Sequence, residues 1–333
     1  MTEMQAQYFL GVDIGATKSH ALITDADGQV IGFGRAGSGN HESVGTDGFA
    51  HVLQTIVRDA LNEANLISSQ ISGAGFGIAG YDWDSDQPLM RQTIGLLDLN
   101  CPYAFVNDAV IGLIAGAQQG WGVALSAGTS CNCCGRTLDG REGRMTGNGI
   151  AFGEYGGGGE LVMWSVQQIS RAWSLRAPQT RLTDIFVQAK GAKDATDLLE
   201  GMARGRFYAS AADAPLVFEA IKAGDAVALE GLRWISHELA GLAAGVIRQL
   251  NLESERFEIV LAGSFYNGSP LIEQILNDDL HVIAPGSRLV RLNAAPVVGG
   301  VILGMQQVNL HQSQSDFKAI RVRVIDTANR RIS

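Results

Sequence analysis

A short segment near the N-terminus, Asp13–Lys18 (DIGATK), has the residue types that bind phosphate. A turn without bulky side chains presents several backbone N–H groups together, and such a concavity suits phosphate oxygens. Thr17 adds a hydroxyl donor and Lys18 a positive charge. Asp13 could hold Mg²⁺ through water, because Mg²⁺ prefers a few carboxylates and keeps several waters. The segment is not a Walker loop, and an ordinary glycine hairpin is the alternative interpretation.

A second segment, Gly128–Ser130 (GTS), repeats the glycine–threonine pairing after another apolar run. When Thr17 is aligned with Thr129, Gly28 falls on Gly140, because each glycine lies 11 residues after its threonine. This offset of 112 residues is too long for a solenoid repeat and indicates a duplicated domain. Two such turns would face each other across a cleft, and a nucleoside triphosphate carries enough charge to bind both.

Between the two turns lies Asn107–Ala109 (NDA), at a predicted strand-to-helix junction. Asp108 has two interpretations there. As an N-cap it would stabilise the helix by about 1 kcal/mol. As a base beside an acceptor hydroxyl it would take the hydroxyl proton during phosphoryl transfer. One aspartate can do both, so Asp108 is the candidate catalytic residue.

The elements that must position these residues are predicted from hydrophobic periodicity. Apolar runs predict strands over residues 8–13, 19–24, 29–34, 73–80, 102–107, 122–130 and 257–263. Helices are predicted over Thr46–Ala64 and from Asp108 to Ala117, and a small-residue helix over Asn293–Gly304. A long helical region is predicted after Glu160 and extends to about Leu250. The predicted fold class is therefore α/β.

Composition and charge exclude several classes of protein. The 333 residues are enough for two lobes of about 150 residues each. The net charge is −9 and no basic stripe occurs, so we expect no nucleic-acid partner. No run of about 18 apolar residues predicts a membrane span. Residues 1–7 are polar, without an apolar signal region, so we expect a cytoplasmic protein.

Three of the four cysteines crowd into Ser130–Gly135 (SCNCCG). A zinc or iron–sulfur site usually needs paired CxxC spacings or a distant second cluster. Cys101, the fourth, stands alone 30 residues upstream of Cys131. We therefore favour small buried or turn residues at Cys131, Cys133 and Cys134, with a metal site as the alternative.

Together these motifs resemble the family that groups N-acetylglucosamine kinase with the BadF/BadG/BcrA/BcrD-type ATPases, within the sugar kinase, actin and heat-shock chaperone superfamily. The matching segments are GVDIGATK at 11–18, GNH at 39–41, GTD at 45–47, NDA at 107–109, LSAGTS at 125–130, APLV at 214–217, AGD at 223–225 and LAGS at 261–264. The resemblance runs from residue 11 to about residue 304. The set is specific, although each segment alone is not.

The resemblance implies two ribonuclease-H-like (actin-like ATPase) lobes with a central cleft for ATP and substrate. One lobe would comprise residues 1–115 plus about 295–310 and the other residues 116–294, with residues 311–333 as a tail of unknown role. The implied activity is an ATP- and Mg²⁺-dependent kinase acting on the 6-hydroxyl of an amino sugar, foremost N-acetylglucosamine. The implied partner is a small-molecule sugar, and homodimers are common among similar kinases.

The resemblance also assigns roles to residues. ATP would be bound by Gly15, Thr17, Lys18, Gly128, Thr129, Ser130, Gly263 and Ser264, the last two on the adenosine side. Asp108 would be the base that faces the sugar 6-hydroxyl. Asn40 and His41 match an Asn-His pair whose asparagine contacts the sugar, and an amide suits adjacent hydroxyls because it both donates and accepts. His41 could equally be an ordinary loop residue.

The chain departs from the family pattern near the sugar. The family commonly has Gly-Trp-Gly and then Gly-Asp-Glu-Gly, whereas this chain has Gly147–Gly149 (GNG) and Gly153–Gly156 (GEYG). Asn148 thus replaces an aromatic residue, and Tyr155 an acid, while Glu154 keeps a carboxylate one methylene longer. We still expect Gly147, Asn148, Gly149 and Glu154 at the sugar. Because sugar pockets are sensitive to one misplaced polar group, the class of sugar is predicted but not the sugar itself.

Two other functions stay open at this stage. An ATPase that activates a redox partner would use Cys131, Cys133 and Cys134 for a dimer-bridging iron–sulfur cluster, and the protein would be brown. A non-catalytic sugar- or nucleotide-binding regulator would explain the Glu154–Tyr155 departure. The joint presence of Asp13, Asp108 and both turns favours the kinase.

Overall fold

The computed structural model describes residues 6–308 and 314–332. The predictions for residues 1–5 and for part of the tail, residues 311–313 and 333, lie outside the described residues. The strands are β1 (Tyr8–Ile14), β2 (Ser19–Asp25), β3 (Val30–Ala36), β4 (Ile71–Ile78), β5 (Tyr103–Asn107), β6 (Gly122–Ala127), β7 (Cys131–Arg136), β8 (Glu142–Arg144), β9 (Glu258–Ala262) and β10 (Arg288–Arg291). The helices are α1 (His41–Ala64), α2 (Gln87–Gly95), α3 (Asp108–Gly116), α4 (Gly158–Trp173), α5 (Arg181–Lys190), α6 (Ala195–Ala203), α7 (Ala214–Lys222), α8 (Ala226–Leu250), α9 (Pro270–Ile283), α10 (Val297–Gln307) and α11 (Gln314–Ile332).

The strands form two five-stranded sheets with the same internal order. The first runs β3-β2-β1-β4-β5 and the second β8-β7-β6-β9-β10. The hairpins that follow β2 and β7 also match, because a backbone N–H donates to the carbonyl four residues later in both, at 3.1 Å from Asp25 and 2.9 Å from Thr137. Gly28 and Gly140 both have left-handed backbones, with φ of 83° and 86°. The predicted duplication is confirmed.

The chain divides into two compact units. The first contains the described residues up to Ala124, Gly135–Arg141 and those from Val290 onward, and it holds the first sheet. The second contains Leu125–Cys134 and Glu142–Leu289, with most of the second sheet.

In the first sheet, the strand directions decide where the polar residues gather. Strand β1 pairs antiparallel with β2 and parallel with β4, and β4 pairs parallel with β5. The carboxyl ends of β1, β4 and β5 therefore lie at one edge of the sheet. In open α/β sheets this is the edge at which ligands bind.

Glycines let the helices approach the first sheet closely. A Cβ on Gly11 would overlap the Val301 backbone of α10, and one on Gly34 would overlap the Ile56 backbone of α1. Helix α10 covers one face of the sheet and α1 the other, burying side chains such as Leu53 and Phe76 completely. Close packing thus accounts for some of the 42 glycines among the 333 residues.

The starts of α1 and α3 differ from the sequence prediction, α1 in its first residue and α3 only in its capping residue. Helix α1 begins at His41, not Thr46, with a non-helical residue at Gly45 (φ 73°) that breaks the periodic pattern. The N-cap of α3 is Asn107, whose side chain accepts a hydrogen bond from the backbone N–H of Ala109. The N-cap interpretation of Asp108 is therefore wrong, and this leaves its carboxylate free of the capping role.

The elements that were not assigned from the sequence include α2, α9, β10 and α11. Helix α11 occupies part of the segment predicted to be a tail. Its many charged residues make its narrow apolar stripe hard to recognise in the sequence. The stripe consists of Ile320, Val324 and Ala328, which are buried and four residues apart. Across the described parts of the chain, every helix is too short or too polar to cross a membrane.

Candidate active site

The β1–β2 turn, Gly15–Lys18, is tight and open to solvent on its side-chain side. A Cβ on Gly15 would overlap the Lys18 carbonyl, so glycine is needed for the close approach. The backbone N–H of Gly39 donates to the Gly15 carbonyl at 3.1 Å and fixes the turn. Thr17 and Lys18 are exposed, so their donors can reach a ligand.

Asp13 is buried at the carboxyl end of β1, with 8% of its surface exposed. Burial and, after it, the charge of Asp108 raise its pKa to about 7, while Lys18 opposes the shift. A hydrated divalent cation nearby would reverse the effect by favouring the carboxylate. Among the described residues, no group of three or more acidic, histidine or cysteine side chains could hold a metal. The chemistry fits Mg²⁺, which keeps waters and phosphate ligands.

Asp108 is the first residue of α3, directly after β5. Burial is the main cause that raises its pKa to about 6, and the neighbouring charge of Asp82 adds to it, while the Ala109 N–H lowers it. At neutral pH the carboxylate is mostly ionised, yet basic enough to accept a proton. These are the properties of a general base near its working pH.

Asp82 was missed in the sequence analysis and lies beside Asp108. The Asn107 side chain connects them, since its amide donates to Asp82 Oδ1 at 3.0 Å and to the Tyr81 carbonyl at 3.2 Å. Asp86 orders the same loop by accepting from the backbone N–H groups of Asp82 and Trp83, at 3.2 and 2.8 Å. The sequence signal that could have identified Asp82 was its position just after β4, the strand between β1 and β5.

Asn40 and His41 approach the same loop from α1. Asn40 caps this helix, with its Oδ1 accepting from Glu42 N at 2.9 Å. A Cβ on Gly80 would lie 2.6 Å from Asn40 Oδ1 and 2.9 Å from His41 Nδ1. His41 Nδ1 is buried without a hydrogen-bond partner in the described structure. The loop after β4 therefore brings Asn40, His41 and Asp108 into one region of the first unit.

In the second unit, the Gly128–Ser130 turn is anchored to the start of α4. The carbonyls of Gly128 and Thr129 accept from Gly158 N at 2.8 Å and Gly159 N at 2.9 Å. Ser130 Oγ donates to Glu160 Oε1 at 3.1 Å, so its hydroxyl proton is already used. Thr129 is exposed, as Thr17 is in the first turn.

A cavity of about 610 Å³ within the second unit borders this turn. That volume suits a small-molecule ligand. Its walls are Gly128, Thr129, Gly158, Ala211, Ala212, Ala214, Pro215, Phe218, Lys222, Ser264, Phe265, Asn267 and Gly268. The cavity brings together the predicted nucleotide residues Thr129 and Ser264, while Gly263, with φ of 103°, lies against the Ala127 backbone. Phe218 and Lys222 were missed, although they belong to the helix that carries the APLV motif.

The loop expected at the sugar folds around Glu154, which is 5% exposed. Its Oε1 accepts from Thr146 N at 2.6 Å and its Oε2 from Gly149 N at 3.2 Å. Gly147 and Gly149 have left-handed backbones, with φ of 75° and 63°. The Asn148 side chain donates to the Thr146 carbonyl at 3.0 Å. The two hydrogen bonds that Glu154 accepts therefore hold this loop in its conformation.

The three clustered cysteines are buried in β7. Burial, then the charges of Glu160 and Glu154, raises the pKa of Cys131 to about 12. Burial also raises the pKa of Cys133 well above its usual value. Because side chains alternate along a strand, Cys131 and Cys133 lie on one face of β7 and Cys134 on the other, so the three thiols do not converge on one point. The favoured interpretation of these cysteines as small buried residues is confirmed.

Comparison with known proteins extends these findings. The model of the BadF/BadG/BcrA/BcrD ATPase family matches residues 10–304. An N-acetyl-D-glucosamine kinase of Dictyostelium discoideum is 24% identical over 316 residues, covering 91% of this chain and 99% of that protein. An N-acetylmuramic acid/N-acetylglucosamine kinase of Clostridium acetobutylicum is 23% identical over 303 residues, covering 90% and 99%.

Solved structures show the same architecture. A candidate N-acetylglucosamine kinase from Chromobacterium violaceum superposes with a TM-score of 0.61 at 22% identity, covering 89% of this chain and 98% of its own. A ROK family glucokinase from Streptomyces griseus gives 0.52 at 18% identity, covering 90% and 99%. The predicted α/β fold with two ribonuclease-H-like lobes is confirmed.

Proposed function

The chain belongs to the BadF/BadG/BcrA/BcrD ATPase family, and on that basis we propose that it is an ATP-dependent kinase for the 6-hydroxyl of an amino sugar, with N-acetylglucosamine as the first candidate. Membership bears out the predicted resemblance and implies the use of ATP. The two relatives named as N-acetylglucosamine kinases, aligned over almost their full lengths, support the acceptor class.

One observation carries the proposal: a buried carboxylate, Asp13, and a half-buried one, Asp108, lie at one edge of the first sheet. Asp13 ends β1 and Asp108 follows β5, with β4 between them. They lie within electrostatic reach, because the charge of Asp108 raises the pKa of Asp13. Such a pair can divide the work of phosphoryl transfer between cation binding and proton abstraction.

Asp108 would accept the proton of the acceptor hydroxyl. The oxygen then attacks the γ-phosphorus of ATP, the bond from that phosphorus to the bridging oxygen breaks, and ADP leaves. Mg²⁺ held near Asp13 would neutralise charge on the phosphate oxygens. Thr17, Lys18 and Thr129 would donate to those oxygens, so placement and electrostatics supply most of the catalysis.

The nucleotide and the sugar would use different residues. The cavity beside Thr129 and Ser264 would take adenosine, with Phe218 as an apolar wall. Gly15, Gly128, Ser130 and Gly263 would contact ATP from their turns, and glycine is required for close backbone approach at Gly15 and Gly263. Asn40 and His41 would contact the sugar. A sugar hydroxyl would satisfy the unpaired Nδ1 of His41, which otherwise costs free energy.

Several finer points belong to the same proposal. Mg²⁺ is the metal, the protein works in the cytoplasm, and a homodimer is the expected assembly. The functional lobes are residues 1–115 with about 295–310, and residues 116–294. In the second lobe Gly147, Asn148, Gly149 and Glu154 would form a sugar-side loop, which the two hydrogen bonds to Glu154 keep ordered.

The test is a substrate panel. The purified protein is incubated with ATP, Mg²⁺ and each of glucose, glucosamine, N-acetylglucosamine and N-acetylmuramic acid, and ADP release is followed. We expect release that depends on an amino sugar and a product phosphorylated at the 6-hydroxyl by NMR. ADP release at the same slow rate with every sugar and with none would contradict the proposal. A brown, oxygen-sensitive protein would instead favour the redox ATPase.

A further inference from the structure

Helix α11 lies beyond the part of the chain that the family model matches, which ends at residue 304. Its buried side chains pack on the first unit. A Cβ on Gly28 would lie 2.8 Å from both the Ile320 carbonyl and Val324 Cγ2, so the helix contacts the β2–β3 hairpin directly. Thr327 Oγ1 donates to the Gly28 carbonyl at 3.3 Å, and Arg331 pairs with Glu63 of α1. The helix is thus attached at several points.

Arg321 is the buried cation of this helix, with 7% of its surface exposed. Its guanidinium donates to the carbonyls of Ala115 and Ala117, at the C-terminal end of α3. The last carbonyls of a helix lack partners within the helix, and positive charge is favoured there by the helix dipole. Arg321 therefore caps α3 from another helix.

The other end of α3 carries Asp108. The helix has nine residues, so about 13 Å separates its ends. Its interior is apolar and fully buried from Val110 to Ala115, and Gly299 of α10 permits backbone contact with Ile111. Apolar contacts are non-directional. Directional bonds hold α3 at its two ends, through Asn107 at the start and Arg321 at the finish.

We propose that Arg321 is a positioning residue for Asp108, which fixes the last turn of α3 and thereby the place of the carboxylate at its first turn. Its kinetic consequence rests on the function proposed above. A misplacement of about 1 Å can cost about 100-fold in rate. The two carbonyls that Arg321 contacts belong neither to the cavity of the second unit nor to the phosphate turn of Thr17 and Lys18, so we expect ATP binding to change little.

The experiment compares three variants of the full chain with wild type. Arg321→Met removes the charge and both donors but keeps the apolar length, and Arg321→Lys keeps the charge with a single ammonium. Arg330→Met is the matched control, because Arg330 is exposed and pairs with Asp326 one turn away. We expect Arg321→Met to lower kcat by about 10- to 100-fold with the KM for ATP within about twofold. Arg321→Lys recovers part of kcat, and Arg330→Met matches wild type.

Two results would overturn the inference: unchanged kcat in a folded Arg321→Met, or a KM for ATP that rises as far as kcat falls. Should Arg321→Met fail to fold, Arg321→Lys decides, because a wild-type kcat there means that the two-carbonyl contact does not position Asp108. Backbone hydrogen exchange of residues 108–117 tests whether Arg321 holds α3 in place, independently of the proposed function. If wild type phosphorylates no sugar, the proposed function is wrong, and hydrogen exchange alone tests the role of Arg321. Faster exchange in the Arg321 variants than in Arg330→Met supports the inference. Equal exchange overturns it.

Discussion

The two sheets share strand order and hairpin bonds but carry different chemistry. At the position of Asp13 in β1, the 112-residue offset places Leu125 in β6, and at Lys18 it places Ser130. Leu125 is fully buried and its carbonyl accepts from Tyr266, whereas Asp13 is a buried carboxylate with a pKa of about 7. The same backbone position therefore serves as apolar core in one half and as a reactive group in the other.

The halves also differ in what surrounds their turns. The first turn lies beside Asp13, Asp108 and the loop of Asp82, all of them acidic. The second lies beside a cavity of mixed polar and apolar walls, in which Lys222 is the one charged residue among those that the structure describes. The comparison indicates that the two halves share a scaffold, while the candidate catalytic acids lie in one half and the cavity in the other.

The largest expected effect is loss of the base in the first half. Asp108→Asn keeps the size of the side chain but cannot take a proton, so kcat falls by about 10³-fold. The dissociation constant of ATP stays within twofold, measured by calorimetry, because Asp108 neither lines the cavity nor belongs to either phosphate turn. Asp59→Asn, at an exposed site on α1, is the control. Turnover equal to that of wild type would remove Asp108 from catalysis.

The pH profile checks the same residue. A carboxylate with a pKa of about 6 is protonated below that value and then cannot accept a proton. The kcat/KM of wild type is therefore expected to fall as the pH drops below about 6, with a slope of one proton. An acid limb near pH 4, the ordinary range for aspartate, would contradict the raised pKa.

The next prediction compares how substitutions of Asp13 and of Leu125 change the free energy of unfolding. The folded pKa of Asp13 is raised, so its contribution to stability is present below about pH 4 and is lost as the pH rises through about 7. The free energy of unfolding of Asp13→Asn, measured in urea, should thus exceed that of wild type by on the order of 2–4 kcal/mol at pH 8 and equal it at pH 4. Leu125→Asn should destabilise at both pH values by about 3 kcal/mol. A gain for Asp13→Asn that is independent of pH would contradict this assignment.

A smaller effect separates the two turns. Thr129→Val removes one donor to a charged phosphate group, worth about 1.5–3 kcal/mol, and should raise the dissociation constant of ATP at least tenfold. Thr17→Val is the matched change in the first turn. An ATP affinity unchanged by Thr129→Val would remove the second turn from the nucleotide site.

The smallest effect concerns the matched hairpin glycines. Replacing Gly28 or Gly140 by alanine lowers the free energy of unfolding by about 1 kcal/mol, because both positions have a left-handed backbone that alanine disfavours. Only Gly28 also meets α11, whereas the nearest atom to a Cβ on Gly140 is 3.5 Å away. We expect Gly28→Ala to lower the free energy of unfolding in urea by about 1–2 kcal/mol more than Gly140→Ala. Equal losses would mean that α11 does not pack on the hairpin.

The sequence alone determined the elements with strong local signals. Strands such as β1, β2 and β5 follow from apolar runs, and the duplication follows from the equal spacing of Thr17–Gly28 and Thr129–Gly140. The glycine–threonine turns and the Asn-Asp-Ala segment carried the family resemblance. Such features depend on neighbours a few residues away, which is the range over which side-chain periodicity and turn chemistry act.

Only the tertiary structure decided which distant residues meet. The parallel register of β1, β4 and β5 brings Asp82 to Asp108 and Gly80 to Asn40, and the side-chain bond to Ala109 shows that Asn107 is the cap. The apolar stripe of α11 gives no hint that Arg321 ends at α3, about 200 residues earlier in the chain. Pairing between residues so far apart is set by strand register and close packing, and both depend on the whole fold.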